Sequence, residues 1–237
     1  MEPIRFKKIT DTIELQEAFR LRYKVYCLER GFERPEDYPW GLEWDEFDEH
    51  AMHFGAFLDG ELLGTVRLIL NSRLGFPIER YCEIKADELI ARNRTGEISR
   101  LAVLKEFPQR NEDGPVYCDR AFRDGLHREI RESLWEDRRQ AEIVTGLYTC
   151  LYRESKEIGL SQWLAAMTRG LSVLLKRMGV HFVPIGPETS YHGRRTPHLA
   201  SIGALEKSVQ ELNPDLLRKV KGDGVRENIF LDQPQLR

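Results

Sequence analysis

Apolar residues along the chain fall into two rhythms, one of period two and one near 3.6, and their alternation predicts the elements. Residues 4–9 read as a short strand. The run 12–30 reads as a helix: at steps of about 100° Leu15, Ala18, Phe19, Leu21, Val25, Tyr26 and Leu28 share one wide arc. Asp11 or Thr12 is placed to cap its start and Gly31 to end it. Residues 33–50, rich in Pro, Trp and acid, predict a loop with one short helix. Ala51–Leu58 and Glu61–Leu70 are two strands around Asp59-Gly60, a strong hairpin signal. Residues 71–95 carry Gly75, Pro77 and many charges and predict a loop or short helix, and 97–104 is a further strand. Residues 105–140 predict a solvated helix or a mobile insertion. A second alternating stretch follows: helix 141–158 closed by Gly159, strand 160–167, a helix from the Thr168 cap to Gly179, strand 180–185, a Gly/Pro turn, strand 197–202 and helix 205–212.

This order predicts an α/β (α+β) fold, one mixed sheet with helices on both faces. A length of 237 residues suits a single domain, placed at 1–218, with a charged, frayed tail at 219–237. No apolar run approaches the roughly 20 residues of a spanning helix. With 36 basic against 39 acidic residues, the overall basic footprint of a nucleic-acid binder is absent. The four cysteines, Cys27, Cys82, Cys118 and Cys150, form no C-x-x-C pair, which speaks against a cysteine zinc site and a disulfide framework. The N-terminus lacks the apolar core of a signal peptide, so the expected compartment is a reduced, cytoplasmic one.

Several charges sit where apolar residues are expected. Arg22 lies between Phe19 and Tyr26 on the helix arc. It either snorkels at the arc's edge or is buried against a carboxylate, for which Asp45 and Asp48 are candidates. Arg67 interrupts an apolar strand, sharing a face with Leu63, Thr65 and Ile69; it is a solvent-facing residue or part of the same ion network. Glu97 and Arg100 bracket Ile98-Ser99 and would face opposite sides of a regular strand, unless a bulge intervenes. The phosphate-binding loops and the G-x-S-x-G nucleophile elbow are absent. His50 and His53 lack the setting of a zinc helix, and His192 reads as a turn residue or a ligand contact.

Five segments occur in order: Arg22-Tyr-Lys-Val-Tyr26, Arg30-Gly-Phe32, Asp45-Glu-Phe-Asp48, Gly64-Thr-Val-Arg67 and Glu97-Ile-Ser-Arg100. The set resembles the acyl-homoserine-lactone (autoinducer) synthase family, a branch of the GNAT-like acyltransferase fold, over about residues 15–104. Tyr26 stands where that family has Phe, and Phe32 where it has Trp. The whole run from Phe19 to Phe32, with Tyr38-Pro, Gly41-Leu-Glu, His53-Phe, Phe76-Pro-Ile-Glu79 and Gly193-Arg-Arg-Thr-Pro197, is similar to two relatives. These are the long-chain N-acyl amino acid synthases and, more closely, the acyltransferases associated with the PEP-CTERM/exosortase system.

The resemblance implies a GNAT-like, mixed and mostly antiparallel sheet flanked by helices. It implies an N-acyltransferase with no bound cofactor and no metal, whose donor substrate is an acyl-phosphopantetheine thioester on acyl carrier protein or CoA. A medium- or long-chain acyl group passes to an amine, amino acid-like acceptor. The donor arm would enter between the strands at 97–104 and 160–167. Glu97 and Arg100 are the implied catalytic residues, and Arg22, Tyr26, Phe32, Asp45, Asp48, Arg67 and Ser99 the substrate-binding ones. A pyrophosphate-cradling R/Q-x-x-G-x-G/A loop does not follow the 97–104 strand, which favours a carrier-protein donor. Lys105, Arg110, Arg120, Arg123, Arg128 and Arg138-Arg139 either form a docking patch for acidic carrier protein or decorate a solvated helix. The alternatives are a CoA-dependent N-acyltransferase and a noncatalytic acyl-carrier or lipid-binding module.

Overall fold

The computed structural model describes residues 3–104 and 129–222. Its strands are β1 (Arg5–Ile9), β2 (Ala51–Leu58), β3 (Glu61–Leu70), β4 (Thr95–Val103), β5 (Gln162–Met167), β6 (Val183–Pro184), β7 (Thr189–Ser190) and β8 (Arg194–Ser201). The helices are α1 (Thr12–Tyr23), α2 (Pro77–Tyr81), α3 (Glu129–Glu157), α4 (Arg169–Arg177), α5 (Ile202–Leu212) and α6 (Pro214–Lys221). The sheet runs β1-β2-β3-β4-β5-β8-β6, with β7 paired to the start of β8. Every pairing is antiparallel except β4 with β5.

The expected hairpin is present with the expected ends. Asp59 at φ 50° and Gly60 at φ 86° make the two-residue turn whose twist matches the flanking strands. One sheet face, with Val66, Leu68 and Ile98, packs on Ile143, Leu147 and Leu151 of α3. On the other face Ala18, Leu21 and Val25 cover Ile9, Phe57, Leu62 and Ala102. Beside them Phe76, Ile78 and Cys82, in and around α2, close over Ile69 and Leu164. Leu63 packs with Val66 and Leu68, so the expected alternation along β3 begins only at Thr65.

The helix expected over 12–30 is α-helical only to Tyr23 and continues as a wide, π-type turn over Lys24–Glu29. The Arg30 N–H accordingly bonds to the Val25 carbonyl, five residues back, at 3.1 Å. An inserted residue turns the following side chains by about 100°. Leu28 therefore leaves the apolar arc and is 61% exposed, against expectation. Asp11, rather than Thr12, caps α1, accepting from the Ile13 and Glu14 N–H groups.

The second half holds three further differences. Helix α3 begins at Glu129, well before residue 141. The strand expected at 180–185 shrinks to the two residues of β6, because Pro184 has no N–H to continue a ladder. Strand β8 begins at Arg194, three residues before its expected start, and α6 carries regular structure past residue 218 to Lys221. The Arg153 guanidinium donates to the Val220 carbonyl there, tying α6 to α3. The rest of the expected tail, 223–237, lies outside the described residues, as do Cys118 and the 105–128 stretch. Cys27, Cys82 and Cys150 are free thiols. Among the described residues no helix is long and apolar enough to cross a membrane.

Candidate active site

Strands β4 and β5 pair over only three residues, Thr95–Glu97 against Gln162–Leu164, and then part. Parallel strands that diverge leave one backbone edge of β4, beyond Glu97, without a strand partner among the described residues. The resulting open cleft has Ile98, Ser99, Leu101 and Val103 on one wall and Ala165, Ala166 and Met167 on the other. Val144 and Tyr148 of α3 form its apolar floor. Tyr26, Arg30 and Phe32, from the wide turn after α1, and Arg195 of β8 also line it. The split lies between the two strands expected to admit a donor arm.

Midway along its length β4 is bulged. Arg67 of β3 faces Ser99 and Thr65 faces Ala102, so Arg100 and Leu101 together oppose one residue. Arg100 takes φ 51°, a left-handed conformation that costs an arginine roughly 1–2 kcal/mol. The bulge turns the Arg100 guanidinium to the same side as Arg67 and Glu97, the exception that an unbroken strand would forbid. The Tyr26 hydroxyl donates to the Leu101 carbonyl at 3.1 Å and pins the bulge.

On that side stands a buried ion network. The Arg22 Nε donates to Glu43 Oε2 at 2.5 Å, and its two terminal nitrogens grip both oxygens of Asp48. Arg67 reaches Asp45 at 2.6 Å and Asp48 at 2.7 Å, and its Nε donates to the Ser99 hydroxyl at 3.0 Å. Arg100 donates to Glu43 at 3.0 Å, Asp45 at 3.3 Å and Glu33 at 3.4 Å. Arg22 is therefore buried against carboxylates and Arg67 belongs to the same network, which settles both open readings.

The Asp45–Asp48 spacing has a local cause. Asp45 caps the short helix Glu46–His50 by accepting from the Phe47 N–H, while Asp48 accepts from the Asp45 N–H. This reciprocal capping fixes both carboxylates in one orientation. Burial alone would raise the carboxyl groups of Glu43 and Asp48. The surrounding guanidiniums outweigh it, holding Glu43 at about 2 and Asp48 well below the usual carboxylate range.

Glu97 is the opposite case. It closes the β4–β5 ladder opposite Leu164, at the vertex of the split, and is 2% exposed. Its Oε2 accepts from the Ile78 N–H at 3.0 Å. Burial pushes its carboxyl up to about 8, against the opposing pull of that N–H and of Arg67 and Arg100. The carboxylate sits behind the cleft wall, which starts at Ile98.

Phe32 leans on Tyr26 at 6.1 Å, and the Arg195 guanidinium lies 5.3 Å from the Phe32 ring centroid. His192 stands 3.4 Å from Glu33, and burial, reinforced by Arg100, brings its imidazole down to about 4. His53 is buried 3.7 Å from Asp48 with its imidazole likewise held at about 4, chiefly by burial. Among the described residues no cluster of three or more His, Cys, Asp or Glu is arranged to hold a metal ion.

Three members of the site escape the sequence reading. Glu43 bridges Arg22 and Arg100, and its only sequence signal is its place in Gly41-Leu-Glu. Glu33 joins Arg100, and Tyr191, in a distant turn, lies close enough for the Arg100 charge to act on its hydroxyl. Of the basic residues expected to dock a carrier protein, Lys105, Arg110, Arg120, Arg123 and Arg128 lie outside the described residues, as does the Arg138 side chain.

The mixed, mostly antiparallel sheet parted between β4 and β5 is a GNAT-like acyltransferase fold. Residues 17–123 match the family model of the N-acyl amino acid synthase FeeM. No curated protein sequence matches the chain. The solved structure of FeeM, an N-acyl amino acid synthase from uncultured soil microbes, is 15% identical; the alignment covers 90% of this chain and 98% of that one at a TM-score of 0.59. TofI in complex with an inhibitor and MTA is 17% identical over 90% and 99% of the two chains, with a TM-score of 0.62. BjaI, a CoA-dependent acyl-homoserine lactone synthase, is 18% identical over 90% and 88%, with a TM-score of 0.57. Over residues 17–123 the chain is similar to the N-acyl amino acid synthases, and it shares its fold with those enzymes and with acyl-homoserine lactone synthases.

Proposed function

We propose that this chain is an N-acyltransferase that moves a medium- or long-chain acyl group from an acyl carrier protein thioester to the amine of an amino acid-like acceptor. The observation that carries the reading is Glu97: a carboxylate desolvated to a pKa of about 8 at the vertex where β4 and β5 part. An ammonium group must lose a proton before it can attack a thioester, and a carboxylate near neutrality is matched to that task. Glu97 takes the proton, through a bridging water because it lies behind the cleft wall. The amine nitrogen bonds to the thioester carbon, and the unpartnered edge of β4 offers N–H groups to the oxygen of the tetrahedral intermediate. The C–S bond then breaks as the second proton of the attacking nitrogen passes to the departing thiolate, and the proton first taken by Glu97 goes to solvent, which restores the carboxylate. Acyl-amide and free pantetheine thiol are the products, with no side-chain nucleophile and no bound cofactor required.

The remaining site residues act by position. Arg22, Asp45, Asp48, Arg67 and Arg100 hold the wide turn after α1 and the 43–50 loop against the bulge, with Ser99 braced by Arg67. Tyr26 and Phe32 form the wall where acyl chain and acceptor meet. Asp45 is the most exposed carboxylate of the network, and its second role is to receive the acceptor's ammonium. The narrower likeness to exosortase-associated acyltransferases rests on the sequence motifs alone.

The choice of carrier protein rests on the missing pyrophosphate loop after β4. CoA is the competing donor, since BjaI and MesI are both CoA-dependent synthases. The test is mass spectrometry of purified protein with carrier protein bearing acyl chains of several lengths, the matching acyl-CoA set and a pool of amino acids. A new acyl-amide with free carrier thiol is expected. Turnover of acyl-CoA alone would reverse the donor assignment, and tight carrier binding without thiol release would mark a noncatalytic module.

A further inference from the structure

A second cavity lies on the α3 side of the sheet, behind the cleft. Trp163, Met178, Leu205, Val209 and Leu217 line it, with Thr145, Thr149 and Tyr152 of α3. Its polar atoms are already bonded. The Thr145 hydroxyl donates to the Ala141 carbonyl at 2.6 Å and the Thr149 hydroxyl to the Thr145 carbonyl at 2.9 Å. The Tyr152 hydroxyl donates to Glu206 at 2.7 Å, and Lys156 pairs with the same carboxylate at 2.9 Å. A cavity with its polar groups so engaged offers water little, and apolar cavities of this kind stay dry and take up hydrocarbon.

The two cavities share a wall. Among the described residues Tyr148 alone lines both. Strand β5 runs past it: Trp163, Ala165 and Met167 alternate onto one face and pack in the same apolar cluster as Tyr148. Met167 and Ala165 line the cleft, and Trp163 lines the inner cavity. A hydrocarbon chain that follows β5 inward from the split therefore meets the Tyr148 ring before it reaches Trp163. That ring is buried and backed edge-on by Trp163, with centroids 6.3 Å apart. Trp163 is in turn held by its Nε1 bond to the Ser155 hydroxyl at 2.8 Å and by the stacked ring of Phe182. We propose that Tyr148 is the stop that sets acyl-chain length, and that the inner cavity is hydrocarbon space it withholds. The inference rests on the acyltransferase reading and deepens it, because it names the residue that limits the donor. Each further methylene buried in an apolar cleft gains roughly fourfold in affinity, so apolar area alone would favour ever longer chains. A close-packed ring across the path ends that gain.

The test is a calorimetric titration with product-like probes, N-acylglycines in two-carbon steps from hexanoyl to hexadecanoyl. Wild-type affinity is expected to climb by roughly fourfold per methylene and then to stop climbing at one chain length. Tyr148→Leu should carry the climb at least about two carbons further, raising affinity for the first chain beyond the wild-type limit by roughly tenfold or more. Tyr148→Phe keeps the ring and should keep the wild-type limit. Thr149→Phe fills the inner cavity only. It should leave the wild-type profile as it is and cancel the extension when combined with Tyr148→Leu. An unchanged limit in Tyr148→Leu overturns the stop. So does a loss of long-chain affinity in Thr149→Phe alone, since chains would then already pass Tyr148. That second measurement decides the matter even if Tyr148→Leu does not fold. If no probe of any length binds wild-type protein, the acyltransferase reading fails and the stop falls with it, an outcome distinct from binding whose limit ignores Tyr148.

Discussion

Arg22 and Asp48 meet fork to fork, Nη1 to Oδ1 at 2.8 Å and Nη2 to Oδ2 at 3.1 Å, across 26 residues of sequence. Both are buried, and the contact joins the end of α1 to the short helix before β2. Because the pair is bidentate, lysine cannot replace Arg22: a point charge satisfies one oxygen and leaves the Glu43 contact unmade. Arg22→Lys and Arg22→Met are each expected to cost about 3–5 kcal/mol, the usual penalty for stranding buried charge. Urea unfolding followed by circular dichroism measures it. In a double-mutant cycle with Asp48→Asn, a coupling of about 1–3 kcal/mol is expected, and strict additivity would mean that the two act independently.

The same network sets the acid limb of stability. Glu43 titrates at about 2 in the folded protein, below the ordinary carboxylate value, so its stabilisation is complete above about pH 4.5 and is lost as pH falls toward 2. His53, held neutral down to about 4, acts in the same direction at higher pH. Its contribution begins to fade below the ordinary imidazole value near 6.5. In a Glu97→Gln background, which removes the opposing contribution of that carboxyl above about pH 4.5, thermal melts from pH 7 to pH 2 are expected to fall in two overlapping stages. Glu43→Gln is less stable than wild type at pH 7, and its curve is flatter between about pH 4.5 and 2. A variant that keeps the wild-type slope there would place the acid sensitivity elsewhere.

The elements above follow closely from the residue pattern, and the reasons for the exceptions are physical. The hairpin at Asp59-Gly60 was readable because its turn demands residues that tolerate positive φ. Arg22 and Arg67 stood out because they interrupt apolar periods, and Asp45 and Asp48 because a loop rich in aromatics is a poor place for solvated carboxylates. Glu43 gave no such signal: it sits in an irregular loop with no period to violate. Tyr191 reaches Arg100 only through the β8 pairing, a contact no local pattern encodes. The wide turn at Lys24–Glu29 keeps helix-forming residues, so only the exposure of Leu28 betrays the change of register.

Gly186 supports the site from a distance. A Cβ there would lie 1.9 Å from the Glu83 carbonyl oxygen, a backbone atom that cannot swing aside. The neighbouring Lys85 N–H to Ile185 carbonyl bond, 2.7 Å, ties the same two segments together. Residues 83–85 follow the Cys82 cap of α2, whose Ile78 N–H binds Glu97. Gly186→Ala is therefore expected to destabilise the fold by about 2–4 kcal/mol, in the range of severe packing substitutions. Hydrogen exchange should show faster exchange at the Ile78 and Lys85 amides, with the β2–β3 ladder little changed. Uniform acceleration across the sheet would mean that the strain is not confined to the α2 side.

Glu97 makes the sharpest prediction because rate and stability must move with the same group. Its folded carboxyl titrates near 8, above the ordinary value, so the folded chain holds a proton that the unfolded chain releases. Stability from this group is present below the ordinary carboxylate range, declines as pH rises from about 4.5, and has gone once pH passes about 8. Glu97→Gln keeps the shape and the uncharged state, and its melting temperature should decline less than that of wild type between pH 6 and 9. The rate moves the other way. At saturating acceptor, acyl-amide formation by wild type is expected to climb with pH and level off above about 8, as the carboxylate form fills. Glu97→Gln should be slower by about 10²–10⁴-fold and should lack that inflection. Parallel pH–rate and pH–melting series on the two proteins make the comparison. An inflection near 8 that persists in the rate of Glu97→Gln would assign the proton transfer to another group. A wild-type stability curve with no slope toward 8 would mean that Glu97 is already ionised at neutral pH and too weak a base for the task.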